Sequence, residues 1–320
     1  MRMTPMGEDQ NDMKAVRDMV QDVSHGQFGA NVPFFFTRYG MPVDLIGQWQ
    51  GRACFLVSNG PSVKDLNLAL LRQPGIITMT INNGASTLLM NGVTPTFWTC
   101  VDHPNRFVKQ IWLNPAIMKF IPMAAFDKEL WDNEAWKTLE ESCGIGHPRD
   151  CPNILGYRRN EKFAAHRFFT ESSINWGCHK RWGGCRTVLL PAIRIPYLLG
   201  FRRLYLLGVD LQMTDSAKYH FDEGRTPGAI RGNSSTYDRI IKEYGPGIQK
   251  YAGQLGYEIY NCNPASALTC FPQVPFAEAV AREAALSGPT EQISTRGMYV
   301  DPEKKKILSR EDAAKEAGAI

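Results

Sequence analysis

Five short apolar segments, each followed directly by small polar residues, organise this chain. They span residues 53–57, 76–81, 97–101, 204–209 and 257–260, and residues 118–121 form a sixth candidate that Pro122 closes. The segments are apolar throughout instead of alternating, which is typical of strands in a parallel sheet that is buried on both faces. The spacing between them leaves room for crossover helices. The pattern therefore predicts an α/β fold with a doubly wound, mostly parallel sheet of the Rossmann-like type.

The turn after the first predicted strand has the sequence Asn59-Gly60-Pro61-Ser62. Gly60 permits unusual backbone dihedrals and Pro61 has no N–H to continue a ladder, so the strand must end here. Ser62 is placed to cap a following helix, with Asp65 three residues later as in a capping box. Such a turn aims free backbone N–H groups and a helix dipole at whatever lies above the strand, which favours an anion. An ordinary strand-to-helix connection has the same local signature.

The other predicted strands also end in polar residues. In doubly wound sheets the ligand lies beyond the carboxyl ends of the strands, so these side chains are expected to share one crevice. They are Ser58, Asn59, Asn82, Asn83, Asp102, Asp210, Asn261 and Asn263. Loops are polar in any case, and one such strand end means little. Five strand ends of this kind favour a binding crevice over coincidence.

Composition limits the class of protein. The 320 residues, 43% of them hydrophobic, suffice for one large α/β domain or for a domain with a smaller lobe. A net charge of +4 is compatible with an anionic substrate or a nucleic acid but demands neither. Residues 1–14 lack the apolar segment of a signal peptide, and arginines and prolines interrupt the apolar stretch 188–209. We therefore expect a cytoplasmic protein without a membrane span, with mostly reduced thiols.

The chain divides into three predicted zones. Residues 1–50 form an N-terminal extension, residues 51–283 a nucleotide-binding α/β core, and residues 284–320 a C-terminal tail. Within the core, residues 127–180 show no clear strand periodicity and are interpreted as a lid or acceptor-side lobe. Short helices are predicted over 85–90, with a left-handed C-cap at Asn91-Gly92, and over 187–199, where two prolines must kink or shorten the helix.

Two loops carry residues suited to binding or catalysis. Gly183-Gly184 precedes the helix at 187–199, and a double glycine lets a ribose or phosphate approach the backbone closely, although a plain loop explains it equally well. The loop after Asp210 contains Tyr219 and His220. Histidine is the usual proton carrier near neutral pH, and tyrosine can hold a phosphate oxygen. A structural histidine is the alternative.

The segment 127–180 and its neighbourhood contain two weaker candidate sites. Four cysteines could hold a structural zinc ion, but their spacing lacks the usual C-x2-C knuckle, so ordinary thiols are the simpler interpretation. They are Cys143, Cys151, Cys178 and Cys185. Basic patches at 158–159, 179–181 and 202–203 alternate with aromatic residues, which suits an extended anionic polymer such as DNA. Solvated surfaces explain each patch equally well.

Several blocks, in order along the chain, carry a resemblance to a known group of proteins. They are 57–63 with its NGPS turn, Ile81-Asn82-Asn83, Gly183-Gly184, 205–210 with 219–222, and Asn263-Pro264-x-Ser266. Together they resemble the bacterial sialyltransferases of glycosyltransferase family 42 and the related MptE-like proteins. This group includes flagellin-glycosylating motility factors and archaeal 6-hydroxymethylpterin diphosphokinases. Residues 92–102 resemble the MptE-like branch in particular.

The resemblance implies a nucleotide-sugar transferase with a single GT-A-like domain, no tightly bound cofactor and no need for a metal. The donor is expected to be CMP- or UDP-linked. The residues then expected to hold its nucleotide are Ser58, Asn59, Gly60, Ser62, Asn82, Asn83, Gly183, Gly184, Asp210, Asn263 and Ser266. The sialyltransferases carry a general-base histidine in a Gly-His-Ser context, whereas residues 231–236 contain no histidine here. Either His220 or Asp102 is the base, or the chemistry differs.

Three functions are compatible with these residues. The first is transfer of a sugar to a hydroxyl group of a glycan, a protein or a hydroxymethylated DNA base. His220 or Asp102 would take the proton, and backbone N–H groups near 58–62 and Gly184, with Tyr219, would stabilise the departing phosphate. The second is an MptE-like transfer of pyrophosphate from ATP to a small alcohol, with Mg²⁺ held by Asp102 and Asp210. The third is a nucleotide-binding module without catalysis. The sugar, the acceptor and the oligomeric state stay open.

Overall fold

One sheet organises the molecule. The structure, a computed structural model, describes residues 34–38, 40, 42–101, 109–126, 148–157, 163–170, 187–212 and 227–287. Within these ranges the strands are β1 (Phe35–Phe36), β2 (Pro42–Val43), β3 (Ala53–Val57), β4 (Thr78–Ile81), β5 (Phe97–Thr99), β6 (Met118–Pro122), β7 (Ile154–Tyr157), β8 (Arg203–Leu207) and β9 (Glu258–Asn261). Their order is β2-β1-β7-β6-β5-β4-β3-β8-β9. Pairs among β3–β9 are parallel, and β1 is antiparallel to β2 and β7.

The sheet confirms the predicted α/β class, because its central strands are buried on both faces. Every residue of β3, β4, β5, β6 and β7 is buried. Alternate side chains of β3 enter different cores: Leu56 joins the cluster that contains Leu189 and Ile193, and Phe55 joins the cluster that contains Phe276. A strand with apolar side chains on both faces reads as a continuous apolar run, which is why periodicity located it.

Helices cover the sheet. They are α1 (Gly84–Met90), α2 (Lys109–Leu113), α3 (Leu189–Leu199), α4 (Pro227–Arg239), α5 (Gly245–Gln254) and α6 (Phe276–Ser287). The predicted C-cap of α1 is confirmed by Gly92 at φ 67°. The predicted helix over 187–199 is α3, a helix of 11 residues that contains Pro196 and ends at Gly200 with φ 104°. None of the helices in the described ranges combines the length and the apolar character that crossing a bilayer requires.

Three strands lie where the sequence predicts none. Strands β1 and β2 lie within residues 1–50, which are expected to form an N-terminal extension, and β1 pairs with β7 in the main sheet. The interval 127–180 is expected to be irregular, but β7 lies inside it and pairs with β6 and β1. The strand has only four residues and contains Gly156, so its apolar signal is short and interrupted. A Cβ at Gly156 would overlap the Met123 sulfur, so a larger residue there would force the Met123 side chain to move. The domain boundaries themselves stay a prediction.

The strand order reverses beside β3. Strands β4–β7 follow one another on one side of β3, whereas β8 and β9 lie on its other side. A doubly wound sheet has its topological switch point at such a reversal, and the loops leaving the two central strands diverge there to open a crevice. The carboxyl ends of β3 and β8 therefore define the edge of the sheet where a ligand is expected.

Candidate functional site

The described candidate residues lie at the carboxyl ends of four neighbouring strands, in the order β4-β3-β8-β9. Ser58, Asn59, Gly60 and Ser62 follow β3, Asn82 and Asn83 follow β4, Asp210 follows β8, and Asn263 and Ser266 follow β9. Because these strands are parallel, their carboxyl ends share one edge of the sheet. The described candidates thus share the edge that the sequence predicts.

Asp210 joins the turns of two flanking strands. Its Oδ2 accepts a hydrogen bond from the Ser62 backbone N–H at 2.9 Å. Its Oδ1 accepts hydrogen bonds from Ser62 Oγ at 2.5 Å and from Asn263 Nδ2 at 2.6 Å. The carboxylate after β8 therefore ties the turn after β3 to the turn after β9.

The predicted capping box at Ser62 is wrong. The turn forms a 3-10 helix, Pro61–Asp65, whose N-cap position is Gly60 and which has no side-chain cap hydrogen bond. The Ser62 hydroxyl instead donates to the Asp210 carboxylate. A hydrogen bond to an ionised acceptor is roughly twice as strong as one between neutral groups, which favours this long-range partner over a local cap.

The backbone N–H groups of this turn also have protein acceptors. The N–H of Ser58 donates to Leu207 O at 2.8 Å, and the N–H of Gly60 donates to Gly208 O at 2.8 Å. Together with the Ser62 N–H, which donates to Asp210, three donors of the predicted anion site are occupied. The expectation of free N–H groups is therefore wrong at these three positions, and a ligand must use other groups.

Gly60 permits the close approach of β3 and β8. A Cβ at this position would overlap Gly208 O and would lie 2.5 Å from Asp210 Oδ2. Gly208 itself has φ 68°, a conformation that favours glycine. The turn and the strand are therefore in contact through two glycines, and a side chain on Gly60 must move one segment off the other.

Replacing Gly60 with alanine is expected to destabilise the protein by about 1–3 kcal/mol, the usual cost of forcing an extra methyl into a packed site. Thermal unfolding of the variant measures this. The matched control is Gly253→Ala, because a Cβ at Gly253 in α5 would meet no atom within 4 Å. The control is expected to match or slightly exceed wild-type stability, since alanine favours helix more than glycine does. Equal melting temperatures for the two variants would contradict the close packing of the turn.

Asn82 ends β4 in an uncommon backbone conformation, with φ 47°. Its N–H donates to Thr99 O at 3.1 Å, and its carbonyl accepts a hydrogen bond from Trp98 Nε1 at 2.8 Å, so β5 fixes its backbone. Its side-chain Oδ1 is buried and has no donor within the part of the chain that the structure describes. Buried acceptors are normally paired, so this amide is a natural position for a ligand donor.

Asn59 lies between β3 and the start of α1, and only 8% of its surface is exposed. A Cβ added to Gly84 would lie 2.5 Å from Thr80 Oγ1 and 2.9 Å from Asn59 Oδ1. Glycine at the first position of α1 therefore allows the Asn59 amide to pack there. Asn83, the N-cap residue of α1, makes no side-chain cap hydrogen bond. The turns after β3 and β4 thus contact each other and present three asparagines.

The turn after β9 is held by its own side chains. Ser266 Oγ donates to Val209 O at 2.6 Å and accepts a hydrogen bond from the Leu268 N–H at 3.1 Å. Asn263 Oδ1 accepts a hydrogen bond from the Ala265 N–H at 2.9 Å. The polar groups of Asn263 and Ser266 therefore shape this turn, and Ser266 fastens it to the segment after β8.

The remaining candidates lie outside the described residues. They are Asp102, Gly183, Gly184, Tyr219 and His220, together with Cys143, Cys178 and Cys185 of the proposed zinc site. Cys151, the fourth of those cysteines, is buried. Across the described ranges, no group of three or more His, Cys, Asp or Glu side chains is placed to hold a metal ion. The catalytic and zinc assignments stay predictions.

Two contributors to this edge were missed from the sequence. Trp98 fixes Asn82 through its indole N–H, and Gly84 makes room for Asn59. Neither could be identified locally, because each acts on a residue that belongs to a different strand end. A glycine directly after the Asn82-Asn83 pair was the available signal for a close approach.

No protein-family model matches the chain, and no curated protein matches it in sequence. Among solved structures, it is similar to a MAf glycosyltransferase from Magnetospirillum magneticum, with a TM-score of 0.42 and 13% identity over 80% of this chain and 39% of that one. It is also similar to a mammalian sialyltransferase, with a TM-score of 0.37 and 16% identity over 74% and 77% of the two chains. The sialyltransferase CstII from Campylobacter jejuni, solved with cytidine-5'-monophosphate, gives a TM-score of 0.32 and 12% identity over 71% and 86%. The chain thus spans well under half of the Magnetospirillum protein's length.

Proposed function

We propose that this protein transfers a sugar from a CMP- or UDP-linked donor to a hydroxyl acceptor without a bound metal ion. The observation that supports this most directly is the gathering of polar strand ends from β4, β3, β8 and β9 at the switch point of the sheet. Doubly wound sheets bind nucleotides at this location. The resemblance of the NGPS turn and the following blocks to sialyltransferases supports the class of nucleotide.

Three asparagines are the groups best placed to hold the donor. Asn59 Oδ1 lies close to Gly84, and Asn83 precedes Gly84 as the N-cap residue of α1. Asn82 offers a buried amide oxygen that lacks a donor among the described residues. An amide has both donors and acceptors, as a nucleobase or a ribose requires. The backbone at Gly183 and Gly184 and the Tyr219 hydroxyl are proposed to hold the phosphate.

The reaction has one proton transfer and one displacement. The acceptor hydroxyl oxygen bonds to the anomeric carbon while the bond between that carbon and the phosphate oxygen breaks. The nucleotide leaves with the bonding electrons, and its negative charge is stabilised by donors at the site. His220 or Asp102 takes the proton of the acceptor hydroxyl. The acceptor is proposed to be a glycan, a protein hydroxyl or a hydroxymethylated DNA base.

Asp210 distinguishes this proposal from pyrophosphate transfer. Pyrophosphate transfer from ATP requires Mg²⁺, which the sequence would place on Asp102 and Asp210. The Asp210 carboxylate already accepts three hydrogen bonds from Ser62 and Asn263. Oδ1 is fully used, and Oδ2 accepts one bond and lies against Gly60, so Asp210 is poorly suited as a metal ligand.

A panel of nucleotides tested by thermal unfolding decides between sugar transfer and pyrophosphate transfer. We expect CMP or UDP in EDTA, at roughly 100 times its Kd, to stabilise the fold by about 2.7 kcal/mol and to raise Tm by about 5 °C. Stabilisation by ATP only with Mg²⁺ would overturn the proposal in favour of pyrophosphate transfer. No response to any nucleotide would overturn it in favour of a protein without this binding site.

An Asn82→Gly variant sharpens this experiment. Glycine accepts the backbone conformation at φ 47° and lacks the side chain that carries the amide, so the variant should fold but lose most of the nucleotide-induced rise in Tm. The matched control is Asn67→Gly, because Asn67 is exposed and makes no side-chain cap hydrogen bond. The control should retain the full response.

A further inference from the structure

Three side chains from distant parts of the sequence meet at the switch point. Ser62 and Asp210 are 148 residues apart, and Asp210 and Asn263 are 53 residues apart. We refer to Ser62, Asp210 and Asn263 as the latch. Their hydrogen bonds measure 2.9, 2.5 and 2.6 Å, and all three end on one carboxylate. We infer that the latch positions the nucleotide site and that Asp210 is a positioning residue, not a ligand contact.

The geometry leaves Asp210 little capacity for a ligand. Oδ1 accepts two hydrogen bonds, which matches the two lone pairs of a carboxylate oxygen. Oδ2 accepts one and packs against Gly60, where a Cβ would lie 2.5 Å away. A negative carboxylate would also repel the phosphates of a nucleotide. The nucleotide phosphates are therefore expected to lie away from Asp210.

The latch determines where the two adjacent turns lie. Ser62 belongs to the turn that presents Asn59, and Asn263 belongs to the turn that Ser266 fastens to Val209. The backbone of the first turn also bonds to Gly208 through the Gly60 N–H. Loss of the carboxylate would remove the side-chain bonds on both sides and let the Asn59 turn move away from β8. The consequence for function rests on the proposed nucleotide binding.

Exchanging the residues at positions 210 and 263 tests the latch, and the double variant has the same net charge as wild type. Asp210→Asn turns an amide donor toward groups that already donate, and Asn263→Asp places two carboxylates together. Each single variant should therefore be unfavourable, because at least one hydrogen bond of the latch loses its acceptor or its donor.

The double variant, D210N/N263D, can form all three hydrogen bonds of the latch again. In two of them the donor and the acceptor are exchanged. The amide introduced at position 210 can accept from the Ser62 N–H through its oxygen. Its nitrogen has two hydrogens, which can be donated to Ser62 Oγ and to the carboxylate introduced at position 263. The second oxygen of that carboxylate keeps the bond from the Ala265 N–H.

Two measurements on the full chain follow the exchange. Hydrogen exchange of the peptides covering 58–66 and 261–268, without ligand, should accelerate at least tenfold in each single variant and return to within about threefold of wild type in the double variant. Binding is measured with CMP, or with UDP if the thermal-unfolding panel shows that UDP stabilises the protein. Its Kd should increase at least tenfold in each single variant and return toward the wild-type value in the double variant. Ser62→Ala removes one hydroxyl donor and keeps the backbone bond, so its hydrogen exchange and its Kd should lie between those of wild type and of the single variants. This variant replaces a single variant that fails to fold.

The outcomes separate the latch from the proposed function. Rescue of hydrogen exchange together with rescue of the Kd supports the inference. Single variants that alter exchange but leave the Kd within twofold of wild type would overturn the positioning role. A double variant that exchanges as fast as the single variants would overturn the latch itself. If wild type binds neither CMP nor UDP while exchange is still rescued, the latch stands and the proposed function fails.

Discussion

Replacing Lys119 with methionine is expected to destabilise the protein by about 3–5 kcal/mol. Lys119 lies on β6 with its side chain fully buried. Its Nζ donates to Asn114 O at 2.8 Å, to Ile117 O at 2.9 Å and to Pro152 O at 2.8 Å. Methionine has a similar length and fills the same volume but has no donor, so the variant leaves three carbonyl groups without this partner, at about 1–1.5 kcal/mol each.

Urea unfolding of wild type and of Lys119→Met measures the difference in their unfolding free energies. The matched control is Lys64→Met, since Lys64 is exposed on the turn after β3 and its replacement should change stability by less than about 0.5 kcal/mol. A Lys119→Met variant as stable as the control would mean that the three contacts contribute nothing. Because β5 separates β6 from β4, the nucleotide-induced rise in Tm should survive wherever the variant still folds.

The same lysine predicts a pH dependence. Burial removes the ammonium from water and lowers the pKa of Lys119 to about 7, while Cys151 acts to a smaller extent in the opposite direction. Between pH 7 and the ordinary lysine pKa of 10.5, the unfolded chain keeps a proton that the folded protein gives up. The unfolding free energy of wild type therefore rises with pH across this window. In this window the neutral amine donates to two of the three carbonyl groups, because only the ammonium has three N–H donors. The stability gap between wild type and Lys119→Met should widen from pH 6 to pH 9, and a constant gap would contradict the lowered pKa.

The central sheet could be predicted because buried parallel strands have a local signature. Residues 53–57 are apolar throughout, and β3 has these bounds. Periodicity failed for β7, where Gly156 interrupts a strand of four residues, and it located 118–121 without revealing that Lys119 is buried there. A lysine normally indicates an exposed position. Two of its carbonyl acceptors, on Asn114 and Ile117, lie just before it in the chain, but the third, on Pro152, is 33 residues away and is not visible to a local pattern.

The candidate site was predictable only as a set of strand ends. Parallel strands place their carboxyl ends on one edge, so the polar residues after β3, β4, β8 and β9 could be grouped from the sequence. The order of the strands could not, because β3 and β8 are adjacent in space and far apart in the chain. The capping rule assigned Ser62 a local role for this reason. Its actual acceptor, Asp210, lies 148 residues away and is invisible to any local rule.

Replacing His220 with alanine is expected to lower turnover about 100- to 10,000-fold, the usual contribution of a general base. The Kd for CMP or UDP should stay within about threefold of wild type, because the histidine acts on the acceptor hydroxyl and not on the nucleotide. Turnover is measured as the release of CMP or UDP from the sugar donor with water as the acceptor, which does not require the natural acceptor. The matched control is His166→Ala, since His166 is exposed on the short turn Ala165–Arg167 and lies next to Tyr251 of α5.

The competing base is Asp102, and the pH dependence of turnover separates the two. A histidine base gives a rate that falls as the pH drops below about 6.5, whereas an aspartate base keeps the rate high until about pH 4. Under the His220 assignment, Asp102→Asn should leave the position of this fall unchanged even if it lowers the rate, and His220→Ala should abolish it. Turnover near wild type in His220→Ala, together with a large loss in Asp102→Asn, would assign the proton transfer to the carboxylate after β5.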